Sequence, residues 1–410
     1  MGQPRPTSSL DPAQRFARLT ELLAKWQAVW RPAPFMTRTP PWAVDAHDGV
    51  LDGLYASLLA LSDEDCVRLE SEPFIDSPLT EWLPVSELAE LVSLPRMAPA
   101  EPLPEAWNVH VGGRKWRQIE AFVPQVRVLP GQSLVEWCAG KGHLARTLAR
   151  RHGIEVSGLE WEAGLCESGQ ALAARQGVAL ELVPQDVMAD DAERWLGPDR
   201  HVAALHACGD LHTRLLRLVS DHGGALTLAP CCYQRTADKV YRPLSRHGRE
   251  VMAASGLGLS RDDLALAVQE TVTAPLGVQR RRAQASAWRL GFDLLQRDVR
   301  GDDRYLPVPS LAYGKLPTHF ADFCHWAARQ KGLELPGEKN WAAFEEAGWR
   351  RLHEVKRLEL VRHLFRRPLE VWLALDRLRL LEEAGFHAEL GTFCARELTP
   401  RNLLLRASRP

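Results

Sequence analysis

The chain has 410 residues, 45% of them apolar, and a formal net charge of −1, which suits one large domain or two to three ordinary ones with a real core. No run of eighteen apolar residues occurs, which excludes a membrane-spanning helix, and the first residues lack the apolar core of a signal peptide. Eight cysteines are scattered without a disulfide framework, so the expected setting is reducing and cytoplasmic.

Charge is uneven along the chain. From Asp45 to Glu105 there are 14 acidic and 2 basic residues, whereas from Arg350 to Arg367 there are 7 basic and 2 acidic ones. These are either two solvated faces or, at the basic end, a surface that guides a polyanion. Residues 1–9 read as a disordered lead-in. Phe16–Trp30 carries a helical apolar stripe, Pro32 to Pro41 break the chain, and Gly49–Asp65 and Leu79–Leu94 read as helices. Pro95–Pro104 reads as a linker, so 10–105 is expected to be a helical N-terminal domain.

The second domain, 106–410, opens with Gly112–Val123. Its Arg114, Lys115 and Arg117 flank Trp116, as an amphipathic helix packing on a sheet or as a carrier of cations toward a ligand. From residue 134 strands and helices alternate. Strands are expected at Leu134–Cys138, Ile154–Leu159, Ala179–Val183, Val202–His206 and Ala225–Ala229, with helices between them. This βαβ pattern predicts a mostly parallel sheet covered by helices. From about 236 to 367 the pattern is mostly helical and reads as an insertion. Leu369–Ala384 is expected to be a strong helix, Gly385 its C′ stop, and Ala388–Phe393 with Asn402–Arg406 a hairpin at the sheet edge.

The chain is organised around Leu134–His143, LVEWCAGKGH, a buried strand running through a glycine turn into a helix. Gly140 and Gly142 permit close approach, and free N–H groups at the helix start can dock a nucleotide-like cofactor. Glu136 sits at the end of that strand. Glu160 ends the second strand and is placed to accept ribose hydroxyls, with Glu162 able to exchange roles; the competing reading is an acid at a helix start. Asp186 ends the third strand and either meets an adenine amino group or caps a helix.

Two cysteine-bearing turns, His206-Ala-Cys-Gly-Asp210 and Pro230-Cys-Cys-Tyr-Gln234, end the expected fourth and fifth strands, and both are expected to face the same crevice. They offer His206 and Asp210 as bases, with a cap of the next helix as the other reading of Asp210, Cys231 or Cys232 as a nucleophile, and Tyr233 as a ring that stacks on a base. Small packed residues are the plainer reading of the cysteines. No CxxC pair is present and adjacent Cys231-Cys232 are awkward ligands, so no metal site is expected.

EWCAGKGHLA, GLE, QDV, HACGDLHTRL and APCCYQRT, in that order, resemble an S-adenosylmethionine-dependent methyltransferase class often called methyltransferase domain 32. LALDRLRLLEEAGF and TPRNLLLRAS are similar to its C-terminal helix and hairpin. The resemblance covers about 110–235 and 369–408. It implies an α/β fold: a Rossmann-like seven-stranded methyltransferase sheet with helices on both faces, beside the helical N-terminal domain and insertion. It also implies S-adenosyl-L-methionine as cofactor. Glu136, Ala139 and Gly140 would contact its methionine and sulfonium part, with Gly142 in the turn, Glu160 the ribose and Asp186 the adenine. One departure is Cys138, where the turn usually has its first glycine.

The HxCG and CC pair is also similar to a eukaryotic tRNA 2′-O-methyltransferase family, so the expected activity is methyl transfer to RNA (tRNA or rRNA). Arg280–Arg282 and Arg350–Arg367 are the candidate phosphate-holding runs, and no membrane partner is expected. The alternatives are a protein or small-molecule methyltransferase and a non-catalytic cofactor-binding interaction protein.

Overall fold

The computed structural model describes residues 10–44, 49–97, 99, 102–269, 275–335, 337 and 339–409. The expected lead-in, 1–9, lies outside them. They fall into two compact units. One gathers the described residues of 1–25, 88–270 and 366–410, and the other those of 26–87 and 271–365. The 10–105 stretch is therefore shared between the units. Among the described residues no helix is long and apolar enough to cross a membrane.

The first unit is built on seven strands: β1 (Ser133–Trp137), β2 (Val156–Glu160), β3 (Leu180–Pro184), β4 (Arg200–Ala204), β5 (Ala225–Leu228), β6 (His387–Thr392) and β7 (Leu403–Ser408). Their order is β3-β2-β1-β4-β5-β7-β6. The first five are parallel, and β7 lies antiparallel between β5 and β6. This is the seven-stranded sheet expected of the sequence, with the C-terminal hairpin as its edge. Helix Gly113–Phe122 and helices His143–His152, Ala163–Arg175 and Asp210–His222 accompany the strands.

The strands read as near-continuous apolar runs because a parallel sheet is covered on both faces. Leu134, Val135 and Trp137 are buried beside Val156, Leu180, Val202 and Ala203. The chain reverses between β1 and β4 in strand order, and that switch point fixes where a ligand crevice opens at the carboxyl ends of the strands.

Two sequence expectations change. Pro95–Met97 is tied to the sheet edge: Met97 N–H donates to Thr392 O at 2.8 Å and Thr392 N–H to Pro95 O at 2.9 Å. Gly391 admits this approach, since a Cβ there would meet Pro95 O at 2.6 Å. The last long helix also starts well before Leu369. It runs from Trp341 to Glu383 with Pro368 inside it. Proline removes one donor and normally ends or kinks a helix. Leu364, Phe365, Leu369, Val371 and Trp372 are all buried around it, and packing carries the helix through.

The second unit is helical, with Leu54–Ala60, Asp63–Ser71, Leu276–Arg300, Phe320–Lys331 and the first part of Trp341–Glu383. Its core centres on Trp288, Phe292, Phe320 and Phe323.

Candidate functional site

The glycine turn follows β1 directly. Cys138 has φ +63°, Gly140 +58° and Gly142 +63°. Cys138 thus takes the left-handed conformation that favours glycine, the residue type the resemblance implies at this position. Gly142 is required for space as well as angle, because a Cβ there would lie 2.9 Å from a Leu180 methyl. Among the described residues nothing lies within 4 Å of the Gly140 Cβ position, so the turn opens onto free space at this residue.

Two buried carboxylates line the turn. Glu160 Oε2 accepts the Gly140 N–H at 2.9 Å, and its Oε1 accepts the Glu162 N–H at 3.1 Å. Glu162 itself precedes helix Ala163–Arg175 and makes no side-chain cap bond. Glu136 Oε2 accepts the Ala145 N–H at 2.8 Å, inside the first turn of helix His143–His152. Burial pushes the Glu136 carboxyl up to about 8, against the Ala145 N–H and the Lys115 cation, while Glu160 adds to the rise. Burial, with Glu160 next, pushes the Cys138 thiol up to about 12. Ala139 is buried in the turn, and Trp161, next to Glu160, is 76% exposed. Trp116 packs into the core, as an amphipathic helix on the sheet requires, while Lys115 is exposed and its charge opposes the rise of the Glu136 carboxyl.

Asp186, beyond β3, is exposed and folds an Asx turn by accepting the Met188 N–H at 2.9 Å. Beyond β4, His206 is exposed at the rim. Partial desolvation of its ring, then Lys115, hold its pKa below the ordinary histidine value. The Asp210 carboxylate accepts the Ala237 N–H at 2.8 Å and so holds the 236–238 loop.

Cys208 and Cys231 pair as an isolated parallel bridge past the ends of β4 and β5. Their Sγ atoms are 3.5 Å apart. Cys232 follows with φ +49°. Thiol hydrogen bonding from Cys208 and Cys231 pulls the Cys232 thiol down, and that from Cys208 and Cys232 pushes the Cys231 thiol up.

Tyr233 is 2% exposed. Its ring meets His212 edge-on at 5.7 Å, and the Arg377 guanidinium lies over it at 4.6 Å. In this arrangement the ring is packed, with a face taken by a cation, and is not offered to a base. His212 and Arg377 escaped the sequence reading. Arg377 Nε donates to His212 Nε2 at 3.0 Å, so the His212 Nδ1 is the donor to Ala207 O, also at 3.0 Å. The only sequence signal was their place in HACGDLHTRL and LALDRLRL, which gives no hint of the contact.

Beside Tyr233 lies a cavity of about 200 Å³ lined by Arg214, Arg217, Arg242 and Arg377, against the two acids Asp210 and Asp238. Among the described residues the buried Tyr233 hydroxyl and the Arg214 Nε have no hydrogen-bond partner. The candidate basic runs have other surroundings. Arg280 and Arg281 are exposed on helix Leu276–Arg300. In the 350–367 run, Arg351 donates to Pro34 O and Thr37 O, Arg357 to Leu61 O and Asp63, and Arg362 to Trp30 O and Glu359. Arg366 donates to Gln269 O, and Arg367 to Glu370 and Asn402.

Residues 114–239 match the family model described as "Methyltransferase domain". Among solved structures, the chain is similar to a geranyl diphosphate methyltransferase in complex with SAM (16% identity, 33% of this chain, 60% of that one, TM-score 0.26). It is similar to the Pyrococcus abyssi tRNA (uracil-54, C5)-methyltransferase (18% identity, 27% and 28%, TM-score 0.23). It is also similar to an RNA methyltransferase from Salinibacter ruber (17% identity, 35% and 86%, TM-score 0.25). The chain thus spans 60% and 28% of the length of the first two. The matched 114–239 stretch includes β1 to β5, both carboxylates, the glycine turn and both cysteine turns.

Proposed function

We propose that the protein is an S-adenosyl-L-methionine-dependent methyltransferase that acts on RNA. The observation that carries the cofactor is the cradle at the ends of β1 and β2. Gly140 opens onto free space, Glu160 is fastened to its N–H, and Glu136 lies behind. The donor chemistry fits. Glu160 keeps lone pairs for ribose hydroxyls, Glu136 offers a buried carboxyl to an ammonium or sulfonium charge, and exposed Trp161 and Asp186 flank the adenine position. The similar structures include proteins solved with SAM, in line with this reading.

When bound, the cofactor supplies a methyl group already activated on a sulfonium. The chain's own part is alignment and proton removal. His206, neutral at pH 7 by its lowered pKa, takes the proton that a hydroxyl or amino nucleophile sheds on methylation. Asp210 positions the neighbouring loop. RNA is supported by the arginine-lined cavity beside Tyr233, in the same unit as the cradle, which suits a phosphate.

The test is labelled-methyl transfer from S-adenosylmethionine into RNA, protein and small-molecule fractions of a lysate. Label in RNA, with binding that weakens steeply in salt and a salt slope reduced by about 1 in Arg217→Ala, supports the reading. Label only in protein or small molecules would replace the substrate. Cofactor binding with no label in any fraction would favour a non-catalytic interaction protein.

A further inference from the structure

Cys208, Cys231 and Cys232 place three sulfur atoms within 4.8 Å of one another. We propose that they form a binding site for a thiophilic d¹⁰ metal ion, with zinc as the occupant. A tetrahedral zinc with bonds of about 2.3 Å holds its thiolates about 3.8 Å apart. Cys208 and Cys231 are already at 3.5 Å. Closing the group on an ion therefore needs side-chain adjustment only.

The backbone explains why three cysteines from two turns converge. The Gly209 N–H donates to Cys231 O at 3.1 Å and extends the Cys208–Cys231 bridge past the strand ends. Gly209 has φ +56°, and a Cβ there would fall 1.9 Å from Arg235 O, so only glycine lets the two turns meet. Cys232 then takes φ +49°, a conformation disfavoured for a residue with a side chain. That left-handed step folds the chain back, closed by the Arg235 N–H on Cys232 O at 2.8 Å. It brings the thiol of Cys232 beside that of Cys231. Adjacent cysteines in extended chain point to opposite faces and cannot share an ion, which is the objection the sequence raised. The local strain at Cys232 removes it, and such strain persists at functional positions.

Among the described residues the thiols have no strong competing partners outside the cluster. The hydrogen bonds of Cys208 to His206 O and of Cys231 to Ala207 O are long sulfur contacts of 3.5 and 3.8 Å. All three are free cysteines. Among the described residues no fourth His, Cys, Asp or Glu atom falls within the same span. Three protein sulfurs and one position for water or an exogenous donor make an open site. Cys231 is buried while Cys208 and Cys232 are half-buried, which gives an ion a path in. The inference stands independently of the substrate and the cofactor.

The experiment uses the full untagged chain, stripped with chelator under a phosphine reductant. It is titrated with Co(II) and then Zn(II), and its cysteines are mapped by alkylation and mass spectrometry. One equivalent of Co(II) should give sulfur-to-cobalt charge-transfer absorption, which zinc abolishes by displacement. Zinc should protect Cys208 and Cys232 from alkylation and should raise the melting temperature. Cys208→Ser, Cys231→Ser and Cys232→Ser should each weaken zinc roughly tenfold or more, while Cys324→Ser, in the other unit, leaves it unchanged. Cys208→Ser, at a half-buried position, guards against misfolding, as does the metal-free melting curve of each variant. Absence of the charge-transfer band, zinc-independent alkylation of the three cysteines, or equal zinc affinity in folded Cys208→Ser would overturn the proposal.

Discussion

Glu160 holds the Gly140 amide in a 2.9 Å hydrogen bond across the gap between β2 and the glycine turn. The same carboxylate takes the Glu162 amide at 3.1 Å. One side chain therefore fixes the turn after β1, fixes the loop after β2, and faces the crevice between them.

Loss of Glu160 is expected to affect ligand more than fold. Charge-assisted hydrogen bonds contribute about 1.5–3 kcal/mol each, so Glu160→Ala should weaken S-adenosylmethionine roughly 10- to 100-fold by calorimetry. Glu160→Gln keeps one acceptor and should lie between. Unchanged affinity in Glu160→Ala would remove the ribose role.

Glu136 gives a pH prediction. Its carboxyl is raised from 4.5 to about 8, first by burial. The folded state therefore holds this proton more tightly than the unfolded chain does. Its contribution to stability is fully present below about 4.5 and is lost as pH rises through about 8. The melting temperature should decline over that window more in the wild type than in Glu136→Gln. A cationic ligand beside Glu136 favours the carboxylate, so cofactor binding near pH 7 should release a proton. Calorimetry in buffers of different ionisation enthalpy reads that release, and its absence would place the cation elsewhere.

Cys138 occupies a glycine conformation at φ +63°. Cys138→Gly should keep cofactor affinity and lose no stability, because it relieves the left-handed strain. Cys138→Val, β-branched at the same angle, should lose about 1–3 kcal/mol. Denaturant melts of the two variants decide it, and equal stability would show that the angle carries no strain.

Much of this was legible in the sequence. The alternation from Leu134 to Ala229 gave every parallel strand to within a few residues, because buried strands and amphipathic helices have different apolar periods. The hairpin at the chain end was legible for the same reason, and Gly140, Gly142, Glu136 and Glu160 were marked by their place at strand ends. The rest depended on contacts across long sequence separations. Nothing local announces that Thr392 pairs with the Pro95 and Met97 backbone, that Arg377 covers the Tyr233 ring, or that the 350–367 arginines bond to backbone carbonyls. Pro368 misled because its local effect is to end helices, and burial of its neighbours overrides that effect. The left-handed turns at Cys138 and Cys232 were hidden because no propensity assigns positive φ to cysteine.

The central claim is that the Gly140 cradle holds S-adenosylmethionine, and the most direct measurement is calorimetric titration of the wild-type protein beside Gly140→Arg and Gly140→Asn. Asparagine tolerates the φ of +58° and stays small, whereas arginine fills the open space. The wild type should bind one equivalent, Gly140→Asn should bind modestly more weakly, and a folded Gly140→Arg should not bind. No binding by the wild type, or undiminished binding by Gly140→Arg, would contradict the claim.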